Sequence, residues 1–242
     1  AGADQNANEK ILRVDPNFVD AHLATGLYKY VVGSLPVYMR ALGFLGGFGK
    51  GDKQEGIREI EEVSRKGTLD RYGAQMLLCV IYRREHRPRD ALPLLKKLAA
   101  RFPRNYLFGF EEVEMYSDLG KKKAALAGID RIEALQREHA PGYARIPCAK
   151  IAYIRANLLF WYHDLGRALA DLKTATNAKN YLDLGTRTMA WLRLGQVYDL
   201  EGDHRQAVKA YRESMETEPN SAAVAEAKGD ISQPYRRKHG KS

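Results

Sequence analysis

The feature that most constrains this chain is a set of spaced residues between positions 191 and 219. The set comprises Trp191, Leu194, Gly195, Tyr198, Ala207, Tyr211 and Pro219. Trp191, Leu194 and Tyr198 fall on one face of a helix, where they can pack against a second helix. The small residues Gly195 and Ala207 allow two helices to cross closely, and Pro219 ends the second one. The spacing therefore predicts a pair of packed helices.

The same register recurs upstream in the chain. Tyr82 and Ala91 occupy the tyrosine and small-residue positions, and Tyr116 and Ala125 follow them 34 residues later. Gln75 departs from the pattern, because it stands at the position that Trp191 has in the unit of residues 191–219. This spacing and this period resemble those of the tetratricopeptide-repeat (TPR) family. The resemblance implies an all-α fold: a right-handed superhelical TPR solenoid of antiparallel helix pairs.

The resemblance also suggests how the chain is organised. We expect residues 1–230 to form a single TPR solenoid of about five repeats, since fewer than three would not bury a continuous core. Residues 8–15 read as the second half of a helix pair, so the first repeat is truncated and the natural protein is expected to extend, or to have been processed, upstream of Ala1. Residues 221–230 are predicted to form a capping helix. Residues 231–242 predict a frayed basic tail.

An apolar insertion interrupts the first full repeat at about residues 31–51, between Gly26 and its counterpart Gly56. An apolar segment of this kind is expected to be covered. It can pack on the solenoid as an extra helix, form a protein interface or contact a membrane surface. The insertion residues that we predict to bind a partner are Val37, Tyr38, Leu42, Phe44, Leu45 and Phe48.

Part of this insertion carries a second resemblance. The residues Gly33-Ser34-Leu35-Pro36, and then Gly43 to Phe48, are similar to a stretch in a eukaryotic TPR family linked to inclusion-body clearance and lipid metabolism. They also resemble uncharacterised bacterial TPR proteins with the same interrupted first repeat, many of them exported. This resemblance implies an adaptor without catalytic residues. The compartment stays open, with the bacterial cytoplasm and the periplasm as the alternatives. It does not name a partner.

A concave groove lined by the first helices is the usual ligand surface of TPR folds. Mapped onto this chain, the predicted groove residues are Tyr30, Met76, Val80, Arg83, Arg84, Phe110, Glu114 and Gln196. Such a face suits an extended or helical peptide whose acidic or carboxylate end is held by Arg83 or Arg84. In the alternative interpretation, Met76, Val80 and Phe110 belong to the core.

Charge and chemistry leave two further functions open. The chain of 242 residues has a formal net charge of +9, with basic clusters around residues 83–104 and 236–241, so nucleic-acid binding and peripheral membrane association are alternatives. The six histidines are scattered, the two cysteines are Cys79 and Cys148, and the glycines before Lys50 lack the spacing of a phosphate loop. We therefore expect a non-enzymatic protein–protein interaction scaffold without a metal or cofactor.

Overall fold

The computed structural model describes residues 10, 13–15, 18–36, 39, 51–178 and 182–237, and its regular secondary structure over these ranges is helical, with no strand. The helices are α1 (His22–Gly33), α2 (Lys53–Lys66), α3 (Arg71–Arg84), α4 (Pro88–Arg101), α5 (Tyr106–Asp118), α6 (Lys122–Arg137), α7 (Cys148–Trp161), α8 (Leu165–Asn177), α9 (Leu184–Leu200), α10 (His204–Thr217) and α11 (Ala222–Ser232). Consecutive helices pair as α1–α2, α3–α4, α5–α6, α7–α8 and α9–α10. The predicted all-α fold of repeated helix pairs is confirmed.

Four of these pairs are joined by short turns that share one backbone feature. A residue in the left-handed conformation stands at the same place in each turn: His86, Gly120, His163 and Gly202, with φ of 54°, 68°, 62° and 85°. This conformation ends a helix by letting the next amide groups bond to its last carbonyl oxygens. Two of the scattered histidines, His86 and His163, therefore lie in these turns.

The chain divides into two compact units, residues 1–103 and residues 104–242, which are described separately. In the first, the N-terminal unit, α1 and α2 cross where Gly26 meets Gly56. A Cβ atom placed at Gly26 would lie 2.9 Å from the Gly56 carbonyl oxygen and 2.9 Å from Ile60. The predicted correspondence of the two glycines across the insertion is thus confirmed.

The residues on either side of the insertion lie next to each other in the N-terminal unit. A side chain at Gly51 would overlap the backbone of Gly33 and Val32, so the end of α1 lies against the start of α2. Asp52 caps α2, since its side chain accepts a hydrogen bond from the Glu55 amide at 2.9 Å. The six predicted partner-binding residues between Val37 and Phe48 lie outside the described residues, so their role stays a prediction.

A buried carboxylate joins the start of the N-terminal unit to the turn between α2 and α3. Asp20 accepts hydrogen bonds from the amides of Thr68 (3.0 Å) and Asp70 (2.9 Å) and from the Thr68 hydroxyl (2.9 Å). Burial raises the pKa of Asp20, but these bonds and one from the Leu69 amide outweigh it and lower the pKa to about 2. The turn is therefore held by an ionised side chain.

The C-terminal unit, residues 104–242, buries its apolar residues between successive helix pairs. One cluster lies among α5, α6 and α7 and includes Val113 and Ile129; a second lies among α7, α8, α9 and α10 and includes Phe160 and Leu172. A third cluster joins α9, α10 and α11 through Leu192. The helix α11 packs against this last pair and ends at Ser232, and its role as the cap of a solenoid stays a prediction.

A frayed tail was predicted after α11, but residues 233–237 form an extended and partly buried segment. Gln233 has an extended backbone, with φ of −136° and ψ of 109°. Tyr235 and Arg237 are partly buried, whereas Pro234 and Arg236 between them are exposed, which is the alternation of an extended chain lying on a surface. The expectation of one continuous solenoid over residues 1–230 stays a prediction.

Candidate functional site

One face of α3 presents an uninterrupted row of exposed side chains in the N-terminal unit. Tyr72 is 38% exposed, Met76 43% and Val80 66%, and the row ends at Arg83 and Arg84, which are also exposed. Spacings of three and four residues place these side chains along one side of the helix. From Tyr72 to Arg83 the row spans about 17 Å at the usual rise of an α-helix. We call these five residues the α3 surface.

The first residue of the α3 surface is held in place by the end of α4. The rings of Tyr72 and Phe102 meet edge to face, with centroids 5.3 Å apart. The Arg101 side chain lies over both rings, and its Nε donates a hydrogen bond to the Tyr72 hydroxyl at 3.4 Å. Tyr72 is therefore an exposed aromatic side chain that contacts Arg101 and Phe102 at the edge of an apolar row.

The α3 surface ends in two cationic residues, at a place where positive charge stabilises the helix. Arg83 and Arg84 stand in the last turn of α3, where positive charge is favoured by the helix dipole. In the turn that follows, Arg87 lies over the Tyr82 ring at 4.5 Å and its Nε donates to Asp90 at 2.7 Å. The arginine pair thus places positive charge at one end of the apolar row.

Tyr30, predicted to line the groove, is instead a buried contact between α1 and the turn after α3. It is 3% exposed, and its hydroxyl donates a hydrogen bond to Glu85 Oε1 at 3.0 Å. Burial and the neighbouring Glu85 raise the pKa of Tyr30. Lys53 of α2 completes the group through a 2.6 Å ion pair with Glu85. The structure therefore separates Tyr30 from the exposed face.

The predicted groove residues of α5 lie in the C-terminal unit. Phe110 is 5% exposed and belongs to the core cluster of α5, α6 and α7, as the alternative interpretation expected. Glu114 is half-buried, and its charge contributes to raising the pKa of Tyr153, an effect smaller than that of burial. Met76 and Val80, which that alternative also placed in the core, are exposed.

Gln196, the predicted groove residue of α9, is fully buried at the centre of a polar network. Its Oε1 accepts a hydrogen bond from Arg193 Nη1 at 2.6 Å, and its Nε2 donates to Glu226 at 2.7 Å and to Asp230 at 3.2 Å. Burial lowers the pKa of Arg193 and raises that of Asp230. Gln196 therefore joins α9 to α11.

The Asp199 carboxylate of α9 binds the extended segment 233–237. Asp199, whose side chain is completely buried, accepts hydrogen bonds from the Tyr235 amide at 2.8 Å and from the Tyr211 hydroxyl at 2.6 Å. Its other oxygen lies 2.7 Å from Nδ1 of His204. One side chain thus holds the backbone of a segment 36 residues away.

The same segment reaches the end of α7 through its arginine. The Arg237 guanidinium lies 4.6 Å from the centroid of Phe160 and donates a hydrogen bond to the Phe160 carbonyl oxygen. Arg193 of α9 lies over the same ring at 4.2 Å and over Trp161 at 5.0 Å. An open cleft of about 1170 Å³ borders the segment, and its lining includes Trp161, His163 and Glu226.

Two features of these surfaces were not predicted. Tyr72 belongs to the α3 surface, and its position four residues before Met76 was the signal that could have identified it. The binding of segment 233–237 gave no periodic signal, because one residue supplies each contact. Over the described parts of the chain, no three histidine, cysteine or acidic side chains are grouped so as to hold a metal ion, and no helix is long and apolar enough to cross a membrane.

Comparison with known proteins supports the repeat. Residues 190–221 match the tetratricopeptide repeat family. BtubC (BKLC) from P. vanneervenii has a similar fold at 15% sequence identity, with a TM-score of 0.54 over 100% of this chain and 93% of that one. The TPR domain of P58(IPK) aligns at 14% identity over 93% of this chain and 71% of that one, with a TM-score of 0.32. No curated protein matches. The chain therefore carries a tetratricopeptide repeat within an all-helical repeat fold.

Proposed function

We propose that this protein is an interaction scaffold that binds a peptide segment of a protein partner on the α3 surface. The observation that supports the proposal is the row of exposed apolar side chains on α3 that ends in two arginines. Tetratricopeptide repeats generally mediate protein–protein interactions, and they are typically non-catalytic.

The α3 surface suggests the chemistry of its partner. Tyr72, Met76 and Val80 offer an apolar strip, and methionine adapts its shape to different side chains. Arg83 and Arg84 provide planar donors that match a carboxylate. The segment that fits is a helix or extended strand with apolar side chains along one face and an acidic side chain, or its terminal carboxylate, at one end.

A peptide-display library selected on the whole protein tests this proposal. We expect the selected peptides to combine apolar residues with an acidic residue. They should bind the Arg83→Glu/Arg84→Glu variant, and the Met76→Ser/Val80→Ser variant, about tenfold more weakly or worse, a loss typical of the residues that dominate an interface. Fluorescence anisotropy measures each affinity, and circular dichroism verifies the helical content.

A matched control is available in the neighbouring helix. Arg65→Glu/Lys66→Glu makes the same charge change at the C-terminal end of α2, where both side chains are exposed. This variant should keep the affinity of the wild-type protein. Equal loss in both charge-reversal variants would assign the effect to overall charge and contradict the proposal. Binding of a nucleic-acid probe that needs Arg83 and Arg84 and falls steeply with salt would contradict it as well.

A further inference from the structure

The segment 233–237 occupies the ends of α7 and α9 as a bound peptide would. Its backbone is extended, its alternate side chains point inward, and its main chain is held by a side chain of the surface beneath it. Because Asp199 bonds to the amide of Tyr235, that contact is independent of the side chain at this position. Main-chain recognition combined with side-chain contacts at alternate residues is typical of peptide-binding surfaces.

The surface under the segment is already assembled by other contacts. Tyr211 and His204 of α10 contact Asp199 independently of the segment. Arg193 stacks on Phe160 and is only 8% exposed, and its Nη1 is bonded to Gln196. These groups belong to helices that pack through the core of the C-terminal unit. The surface is therefore expected to keep its shape when the segment leaves.

Two side chains define what the surface selects. The Tyr235 ring packs against the core cluster of α7 to α10, with its centroid 6.0 Å from that of Phe160. Arg237 adds a cation–π contact with Phe160 and a hydrogen bond to the carbonyl oxygen of that residue near the end of α7, where positive charge is favoured. Pro234 and Arg236 are exposed and contribute little to this selection.

We infer that the ends of α7 and α9 form a second peptide-binding surface, for an extended segment with an aromatic residue followed two positions later by an arginine. Residues 233–237 are its intramolecular occupant. A partner carrying this pattern binds by displacing them. The surface differs from the α3 surface in its residues and in the charge of its ligand, since it takes a basic segment and not an acidic one.

A labelled peptide with the sequence of residues 231–238, ISQPYRRK, tests this inference on the whole protein. We expect it to bind the Tyr235→Ala/Arg237→Ala variant about tenfold more tightly than the wild-type protein, the factor for a wild-type surface that is open about one tenth of the time. A control peptide with alanine in place of the tyrosine and of the second arginine should bind neither protein.

Hydrogen exchange on the wild-type protein gives a second measurement that does not depend on a variant folding correctly. The Tyr235 amide should exchange slowly because Asp199 accepts its hydrogen bond, and adding the unlabelled peptide, but not the control peptide, should accelerate its exchange. Equal affinity of the peptide for wild type and variant, no binding to the correctly folded variant, or an unchanged exchange rate would each overturn the inference. Because the α3 surface is not involved, these results are independent of the proposed function.

Discussion

The helices α3 and α9 hold the same place in their repeats. The same face is exposed in α3 and buried in α9. The two helices are aligned by placing Cys79 opposite Gly195. In this alignment Met76 corresponds to Leu192, Val80 to Gln196 and Arg83 to Asp199. The three residues of α3 are exposed, whereas Leu192 and Gln196 are buried and the Asp199 side chain is completely buried. This face of α9 is covered by α11 and segment 233–237. A position in the repeat therefore does not determine whether a side chain is available to a partner.

The largest effect is expected for Tyr211→Ala. A Cβ atom at Gly195 would overlap the Tyr211 ring, so this ring fills the crossing of α9 and α10, and its hydroxyl donates to Asp199. Its removal should lower the free energy of unfolding by about 3–5 kcal/mol, measured by urea denaturation. Tyr72→Ala on the exposed face of α3 should cost about 0.5–1 kcal/mol. Similar losses in the two variants would contradict the contrast between these helices.

A reciprocal exchange at equivalent positions sharpens the same contrast. Gln196→Val removes the amide that bonds to Arg193, Glu226 and Asp230, and it leaves their polar groups buried without this partner. We expect a loss of about 2–3 kcal/mol in the free energy of unfolding. Val80→Gln should change it by no more than about 0.5 kcal/mol, since Val80 is 66% exposed. If both exchanges cost the same, the environments of α3 and α9 do not differ as described.

The sequence predicted most of the fold because the repeat signal comes from crossings between neighbouring helices. Gly195 with Tyr211, and Gly26 with Gly56, are local constraints that the spacing of small and large residues encodes directly. The left-handed turns could also be predicted from the repeat period, since His86 stands 34 residues before Gly120. They are hard to recognise because glycine is the usual residue in this conformation, and His86 is not a glycine.

The candidate sites were harder to predict because exposure depends on what covers a helix. Gln196 and Phe110 carry the register of groove residues, and neither is exposed. Their burial depends on partners such as Glu226, which lies 30 residues from Gln196 and is not fixed by the repeat pattern. Arg83 and Val80, which carry the same register on α3, are exposed. Their role in binding stays a prediction.

Two glycines of the N-terminal unit should respond to alanine in opposite directions. Gly26→Ala places a methyl group 2.9 Å from the Gly56 carbonyl oxygen, which should force α1 and α2 apart and cost about 1–3 kcal/mol. A methyl group added at Gly73 of α3 would meet nothing within 4 Å, so Gly73→Ala should stabilise the protein by about 0.5 kcal/mol. Thermal unfolding of both variants measures the difference. A neutral Gly26→Ala would mean that the two helices do not cross at this point.

Among the buried positions, the smallest loss is expected at Asp20, which resembles Asp199 in that each carboxylate binds the main chain of a distant segment. Asp20→Asn keeps one acceptor oxygen but removes the charge, so it should lower the free energy of unfolding at pH 7 by about 1–2 kcal/mol. The folded-state pKa of Asp20 is lowered to about 2 from an ordinary value of 3.8, so its contribution is present above about pH 4 and is lost as the pH falls towards 2.

Urea denaturation of the wild-type protein and of Asp20→Asn between pH 7 and pH 2 measures this dependence. The difference between the two proteins should shrink over the lowest two pH units, because the wild-type carboxylate then takes up the proton that asparagine cannot. Asp203→Asn is the control, since this residue caps α10 through the Gln206 amide at 3.1 Å and asparagine caps a helix equally well. A difference that stays constant down to pH 2 would mean that the charge of Asp20 does not hold the turn before α3.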